Sequence, residues 1–310
     1  MFTHLPVLVR EAVSLLGCKP GGVYVDCTVG GGGHAKEILR SCPGARLLVG
    51  MDRDSDAIDA ARRTLEEYSG RVILIKEDYR KIKAALAALS IKEADGILID
   101  LGVSSYQFDT PERGFSFRFE ARLDMRMDRD QELSAYELVN GADEAELTRI
   151  FREYGEERFA GKIARAIVEA RRTKPVETTG QLASIAEHSV PVRFHVKGLH
   201  PATRIFQALR IAVNEELTGL EGALRDCAGL LVPGGRLAVI SFHSLEDRIV
   251  KDTFRDLSTG CVCPPKFPVC VCGHLPKARL LARKPVTATP EELGGNPRAR
   301  SAKLRAIEKI

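Results

Sequence analysis

"VDCTVGGGGHAKEI" (residues 25–38) places four consecutive glycines after an apolar run and before a histidine and a helix-forming segment. Glycine loses more backbone freedom on folding than any other residue, so four together imply a turn whose bare backbone lies against something. The apolar run "VYVDCTV" (23–29) reads as a short strand, and the segment from about His34 to Arg40 as the helix after it. The rhythm continues with "RLLVGMD" (46–52) and "SDAIDAARRTLEEY" (55–68), whose cap is Asp54 or Ser55. "RVILIKED" (71–78) with "YRKIKAALAAL" (79–89) follows, then a fourth strand, "ADGILIDLG" (94–102). Short apolar strands alternating with helices predict a parallel sheet covered on both faces.

Beyond the fourth strand the rhythm stops. Residues 103–133 show no clean period and read as a long loop, a kind of segment that usually has a function. Residues 134–190 then carry helical patterns. The sheet is expected to resume after one long helix at 204–231, with Ile205, Leu209, Val213, Leu217, Leu220 and Leu224 on one face. "PGGRLAVISFHS" (233–244) supplies a turn and a fifth strand, and "LEDRIVKDTFRDL" (245–257) a helix. "ARLLARKPVTA" and "SAKLRAIEKI" are candidate final strands, which must pair antiparallel because no long crossover joins them. The expected division is a first part at 1–108, an all-helical insertion at 109–200 and a second part at 201–310.

Composition narrows the class. The chain has 310 residues, 44% hydrophobic and 28% charged, the balance of a globular α/β protein. The opening segment has charges at Arg10 and Glu11 and no long apolar core, so a cytoplasmic location is expected, without membrane association. A net charge of +4 permits a nucleic-acid partner without demanding one. Eight cysteines then read as thiols or metal ligands rather than a disulfide framework. Nothing in the sequence sets the oligomeric state.

Glycines at the end of a first strand let the backbone approach a ligand at the start of the next helix. Asp52, ending the second strand, stands where a carboxylate accepts hydrogen bonds from ribose hydroxyls. These features suit any nucleoside cofactor, and Gly30, Gly32 and Ala35 meet a loose dinucleotide pattern, so a dehydrogenase is the rival reading. Three features favour S-adenosylmethionine. Asp26 precedes the glycines, where it repels a diphosphate and attracts a sulfonium or ammonium. Asp100 brings a second carboxylate to the same sheet edge. The antiparallel final pair is foreign to the ordinary dinucleotide fold.

"HLPVL" (4–8), "DCTVGGGGHA" (26–35), "DLGVSS" (100–105), "RGFSF" (113–117), "LDMRM" (123–127), "HPATRIFQALRIAVNEEL" (200–217), "ISFHSLEDRIVK" (240–251) and "NPRARSAKLRA" (296–306) run in order along the chain. Together they resemble the RsmH (MraW) family, bacterial enzymes that methylate N4 of a cytidine in 16S ribosomal RNA. The resemblance implies a class I S-adenosylmethionine-dependent methyltransferase: a Rossmann-like, mostly parallel sheet with an antiparallel last strand and an all-helical insertion domain. It also implies cofactor contacts at Gly32, Gly33, His34, Asp52, Tyr79, Asp100 and Gln107. Tyr79 stands where the family often has phenylalanine and keeps a stacking face. Ala35 replaces an expected serine or threonine and puts one hydroxyl hydrogen bond in doubt. The implied partner is 16S ribosomal RNA or the small ribosomal subunit.

The N4 amine of cytosine is conjugated with its ring and a poor nucleophile. An enzyme aids it by alignment with the methyl group and by accepting its N–H hydrogen bonds. Acceptors are expected at the ends of the fourth and fifth strands, which nominates Asp100 and His243 as catalytic, with a structural histidine as the alternative for His243. The cytidine must leave its stack to reach such a pocket. Phe115 and Phe117 either stack on a base or pin the loop, while Arg113, Arg118, Arg122, Arg126 and Arg129 are candidates for phosphates. Arg204, Gln207, Arg210 and Asn214 form a polar stripe expected to line the cleft in part. Cys261, Cys263, Cys270 and Cys272, near His274, either gather around a structural zinc or remain plain thiols. The resemblance itself implies no metal. Cys18, Cys27, Cys42 and Cys227 read as small core residues.

Overall fold

A computed structural model describes residues 6–261, 263, 269 and 271–310. The chain begins with α1 (Val9–Leu16), β1 (Val23–Asp26), α2 (Gly33–Ser41), β2 (Leu47–Asp52), α3 (Ser55–Thr64), β3 (Val72–Lys76), α4 (Ile82–Ala88) and β4 (Ala94–Asp100). Six helices follow: α5 (Ser105–Asp109), α6 (Ala135–Gly141), α7 (Glu144–Glu153), α8 (Ala160–Arg171), α9 (Thr179–Ser189) and α10 (Ala202–Asn214). The last stretch holds α11 (Leu220–Leu230), β5 (Leu231–Ser241), α12 (Ser244–Ser258), β6 (Ala278–Leu280), α13 (Pro290–Gly295) and β7 (Lys303–Lys309). No helix among the described residues is long and apolar enough to cross a membrane.

Seven strands form one sheet in the order β3-β2-β1-β4-β5-β7-β6. The first five in chain order run parallel; β7 pairs antiparallel with both β5 and β6. This is the class I methyltransferase arrangement. Period-2 alternation sends side chains to two separate cores. Tyr24, Leu48, Leu98, Ala238 and Ile240 pack toward α1, α2 and α3. Val25, Val49, Ile97, Ile99, Leu237 and Val239 pack toward α4, α11 and α12. Because β1 connects outward to β2 on one side while β4 lies on its other side, strand order reverses between β1 and β4. A crevice opens at such a reversal, beyond the strands' carboxyl ends. Asp26 and Asp100 terminate the two strands that flank it.

The chain divides into two compact units, residues 1–102 with 218–310, and residues 103–217. The second unit contains no strand among its described residues and has its own core, from Phe115 and Leu123 through Leu147, Phe151, Ile163 and Leu182 to Leu209 and Val213. Its limits differ from the expected 109–200. Phe108 of α5 packs against that core, and Ala202, Ile205, Phe206 and Leu209 of α10 belong to it.

The single helix expected at 204–231 is two helices. Glu215 adopts φ 51°, ψ 39° and ends α10, and α11 begins after Gly219 at φ 75°. Arg210 holds Glu216 by paired 2.8 Å hydrogen bonds across that turn. The apolar period runs on through the break because each helix buries its own face, in different cores. The loop expected at 103–133 also has structure, with α5 and a 3-10 turn at Pro111–Arg113.

Candidate active site

Gly30 (φ 50°) and Gly32 (φ 85°) both need the left-handed backbone region, which other residues enter only with strain. A Cβ on Gly33 would lie 2.9 Å from Pro6 Cγ, whereas one on Gly31 would meet nothing within 4 Å. The four glycines therefore serve different needs. Two bend the chain, Gly33 admits a close neighbour, and Gly31 leaves one face of the turn open.

The bend fixes Asp52. The Gly30 N–H donates to Asp52 Oδ2 at 2.9 Å and the Asp54 N–H donates to Oδ1 at 3.0 Å. Burial pushes the Asp52 carboxyl up to about 6, against the pull of those two N–H groups. Each oxygen keeps a lone pair for a hydroxyl ligand.

Asp26 is 1% exposed. Its Oδ1 accepts the Thr28 N–H at 3.3 Å, while Oδ2 is buried with no partner among the described residues. Burial lifts its carboxyl to about 7; the Thr28 N–H opposes the rise and the neighbouring Asp52 charge adds to it. The Ala35 N–H in the first turn of α2 also favours the charged form, so the backbone supplies a donor beside Asp26 where Ala35 lacks a hydroxyl.

Asp100 is tied to the same turn, because its N–H donates to Thr28 Oγ1 at 2.6 Å. Its Oδ2 lies 3.6 Å from His34 Nδ1, and its Oδ1 is buried without a partner among the described residues. Burial first, then the charges of Asp26 and Glu246, raise its carboxyl well above the usual range. His34 Nε2 lies 2.9 Å from the Val7 carbonyl, which can only accept, so Nε2 carries a proton. In the neutral ring Nδ1 is then unprotonated and faces the Asp100 carboxyl.

The other nominated residues divide. Tyr79 opens a 3-10 turn directly after β3 and packs against the core on the α4 side. Beside it, Arg80 grips the Asp78 carboxylate with bonds of 2.9 and 2.7 Å, and despite burial this pairing holds Asp78 below its ordinary value. His243 is the N-cap of α12: its Nδ1 accepts the Glu246 N–H at 3.4 Å, and its Nε2, 3.1 Å from Glu246 Oε1, is buried without a hydrogen bond among the described residues. Gln107 belongs to the second unit, where its Oε1 accepts the Ser104 N–H at 3.0 Å in the capping box of α5.

Sequence reasoning missed Thr28, whose hydroxyl joins the ends of β1 and β4, and Glu246, a 1% exposed carboxylate whose charge reaches Asp100. The spacing from His243 to Glu246 in "HSLE" (243–246) is that of a capping box, and could have marked Glu246.

In the second unit several charges expected to meet RNA hold the protein together instead. Arg113 is 1% exposed and its Nη2 donates to the Arg126 and Met127 carbonyls at 2.9 Å each. Arg126 grips Asp124 at 2.9 and 2.8 Å. Phe115 lies in the core and Phe117 packs edge-on against Phe206, so both pin the loop. From the expected polar stripe, Asn214 accepts the Met127 N–H at 2.8 Å and donates to the Met125 and Arg210 carbonyls at 2.7 and 2.9 Å. Arg118, Phe119, Arg122 and Arg129 are exposed. Of the cysteines, Cys27, Cys42 and Cys227 are buried and Cys18 is half-buried; Cys270 lies outside the described residues.

A family model described as the MraW methylase family matches residues 1–310. Ribosomal RNA small subunit methyltransferase H of Symbiobacterium thermophilum is 53% identical over 310 residues, spanning 100% of this chain and 97% of the relative. The protein of the same name from Heliobacterium modesticaldum is 51% identical over 311 residues, spanning 100% of this chain and 99% of the relative. A Geobacter relative, again of that name, is 53% identical over 309 residues with 100% and 99% spanned. Similarity of this extent, joined to the sheet order and the glycine turn, places the chain in the MraW methylase family.

Proposed function

We propose that this protein transfers a methyl group from S-adenosylmethionine to the N4 exocyclic amine of a specific cytidine in 16S ribosomal RNA. The observation that carries the reading is the pair of buried carboxylate oxygens, Asp26 Oδ2 and Asp100 Oδ1, left without partners at the strand-order reversal. Unpaired buried acceptors are costly, and a cationic ligand relieves that cost where a diphosphate would increase it. The names of the relatives, each a small-subunit ribosomal RNA methyltransferase, support the substrate class.

The residues present fit the cofactor. Asp52 would take the ribose hydroxyls, Tyr79 would stack on the base, and the turn of Gly32, Gly33 and His34 would hold the amino-acid end beside Asp26 and Asp100. Gln107 enters from the family resemblance alone. When bound, the cofactor supplies an electrophilic methyl carbon on a sulfonium whose carbon–sulfur bond breaks as the amine nitrogen attacks. Asp100 accepts an amine N–H. A carboxylate raised toward neutrality is a better proton acceptor than an ordinary one, so it can take the proton as the nitrogen becomes tetrahedral. Thr28 fixes the backbone of Asp100, and His34 faces its second oxygen. His243, whose Nδ1 caps α12 at the Glu246 N–H, positions the end of β5. Arg118, Arg122 and Arg129, on the surface of the second unit, are the cations offered to RNA phosphates.

The deciding experiment incubates the protein and labelled S-adenosylmethionine with small ribosomal subunits and maps the label by mass. Label on N4 of one cytidine is expected. Label on a ring carbon or a ribose hydroxyl would remove the N4 assignment, and binding of NAD in place of S-adenosylmethionine would remove the cofactor. The same proposal places the protein in the cytoplasm, with its ribosomal substrate.

A further inference from the structure

Outside the crevice, the chemistry that the proposed reaction leaves unused is concentrated between α12 and β6. The connection spans residues 259–277 and includes "CVCPPKFPVCVCGH" (261–274). Connections of this length need some means of holding a shape. The hydrophobic effect gives little here. Val269, Val271 and Leu275 are 69%, 73% and 76% exposed, so these aliphatic side chains point to solvent.

Sulfur atoms converge instead. One Sγ from each of Cys261, Cys263 and Cys272 lies within 4.8 Å of the other two. Cys272 Sγ stands 3.8 Å from Cys261 Sγ. A disulfide requires about 2.05 Å. Thiolates around a tetrahedral metal with bonds of about 2.3 Å stand about 3.8 Å apart, the edge of that tetrahedron. The backbone is arranged for sulfur carrying negative charge. The Cys263 N–H donates to Cys261 Sγ at 3.4 Å and the Val271 N–H donates to Cys263 Sγ at 3.5 Å. His274 Nδ1 lies 2.8 Å from the Gly260 carbonyl and joins the two ends of the stretch.

We infer that Cys261, Cys263 and Cys272 bind a zinc ion that fastens the connection between α12 and β6. Soft thiolate donors gathered this closely select zinc over magnesium or calcium, which take hard oxygen ligands. The three sulfurs sit in one continuous piece of chain, so the ion closes a local loop. That loop delivers the Lys277 N–H to the Leu257 carbonyl at 2.8 Å, and with it the first residue of β6, Ala278, to the sheet. The role is structural: the ion orders the segment that places the outermost strand and takes no part in methyl transfer.

Elemental analysis of the full chain, purified without chelator, tests this directly. About one zinc per chain is expected, falling several-fold in Cys261→Ser and in Cys272→Ser, and unchanged in Cys18→Ser. Cobalt loading of the metal-stripped protein with cobalt chloride alone should give intense thiolate-to-metal absorption. Alkylation read by mass spectrometry does not depend on the variants folding. Cys261, Cys263 and Cys272 should be protected when zinc is present and modified together once a chelator removes it. Zinc-free protein with all three thiols open to alkylation, a disulfide between any two, or iron in place of zinc would each overturn the assignment. S-adenosylmethionine affinity should stay within about twofold after zinc removal; complete loss of cofactor binding would overturn the purely structural role.

Discussion

The carboxylates at the sheet edge and the arginines of residues 113–129 are both conspicuous in the sequence, and the fold treats them in opposite ways. Arg113 and Arg126 turn inward or sideways and bond the chain's own carbonyls and Asp124. Asp26 is buried and Asp100 half-buried at strand ends, each with one buried oxygen left over. A charged side chain such as Arg126, whose guanidinium is bonded to Asp124 and to the Arg129 and Gln131 carbonyls, maintains structure, however suggestive its sequence context. A buried one that the protein leaves unsatisfied keeps a raised pKa and awaits a ligand. Substitutions in the two regions should therefore affect different measurements.

The largest effect is expected at the edge. Asp100→Asn keeps the shape but removes the negative acceptor, and should lower kcat for methyl transfer by about 10²–10³, the range for deleting one positioned electrostatic group. Single-turnover assays with saturating cofactor measure it. A drop below about fivefold would mean that Asp100 only binds, and would move the acceptor role to another group.

In the second unit the corresponding change is Asn214→Ala. It deletes three hydrogen bonds and strands the buried Met127 N–H and Met125 carbonyl, so unfolding free energy should fall by roughly 2–4 kcal/mol. Denaturant titration reads it. Methyl transfer per folded molecule should change far less than in Asp100→Asn. If instead activity collapsed while stability held, the contrast between the two regions would fail.

How far these regions were legible in the sequence follows the same division. The parallel strands could be read because their apolar runs and glycine turn are local signals, and Asp52 and Asp100 were readable as the last residues of such runs. The break at Glu215 was not, since an apolar period of 3.6 continues through Val213, Leu217 and Leu220 and a left-handed glutamate leaves no mark. The inward turn of Arg113 was equally hidden. Its partners are carbonyls 13 and 14 residues away, and every residue has a carbonyl. Glu246 went unread for a different reason: its capping-box spacing reports on its helix, while its charge acts on a strand far away in sequence.

A smaller loss is expected from Asp52→Ala, which removes the proposed acceptor for ribose hydroxyls. S-adenosylmethionine binding should weaken by ~1–3 kcal/mol, measured calorimetrically. Its two backbone donors, Gly30 and Asp54, would be left facing solvent or the ligand, so part of the effect should come from the turn itself. Asp52→Asn separates the contributions. An amide retains one acceptor oxygen but not the charge, and its loss should be the smaller of the two.

The smallest effect, and the one that ties site to stability, is the response to pH. Asp26 and Asp52 ionise near 7 and 6 in the fold, against 3.8 for an ordinary aspartate, chiefly because burial penalises their charge. A carboxyl raised in the folded state binds protons more tightly there than in the unfolded chain. Its contribution to stability is therefore full below about pH 4 and is lost as pH rises through 6 to 7. A cationic ligand reverses the preference because it favours the ionised form. If binding requires Asp26 ionised, the competent fraction rises from about one tenth at pH 6 to nine tenths at pH 8, and apparent affinity for S-adenosylmethionine should tighten about tenfold. The ligand-free protein should lose stability over the same interval. Asp26→Asn should flatten both curves, while Cys18→Ser, which removes a half-buried thiol beside the core, should leave their slopes unchanged. Parallel rather than opposed pH trends would mean that the ligand meets the neutral acid, and the electrostatic account of the crevice would have to be abandoned.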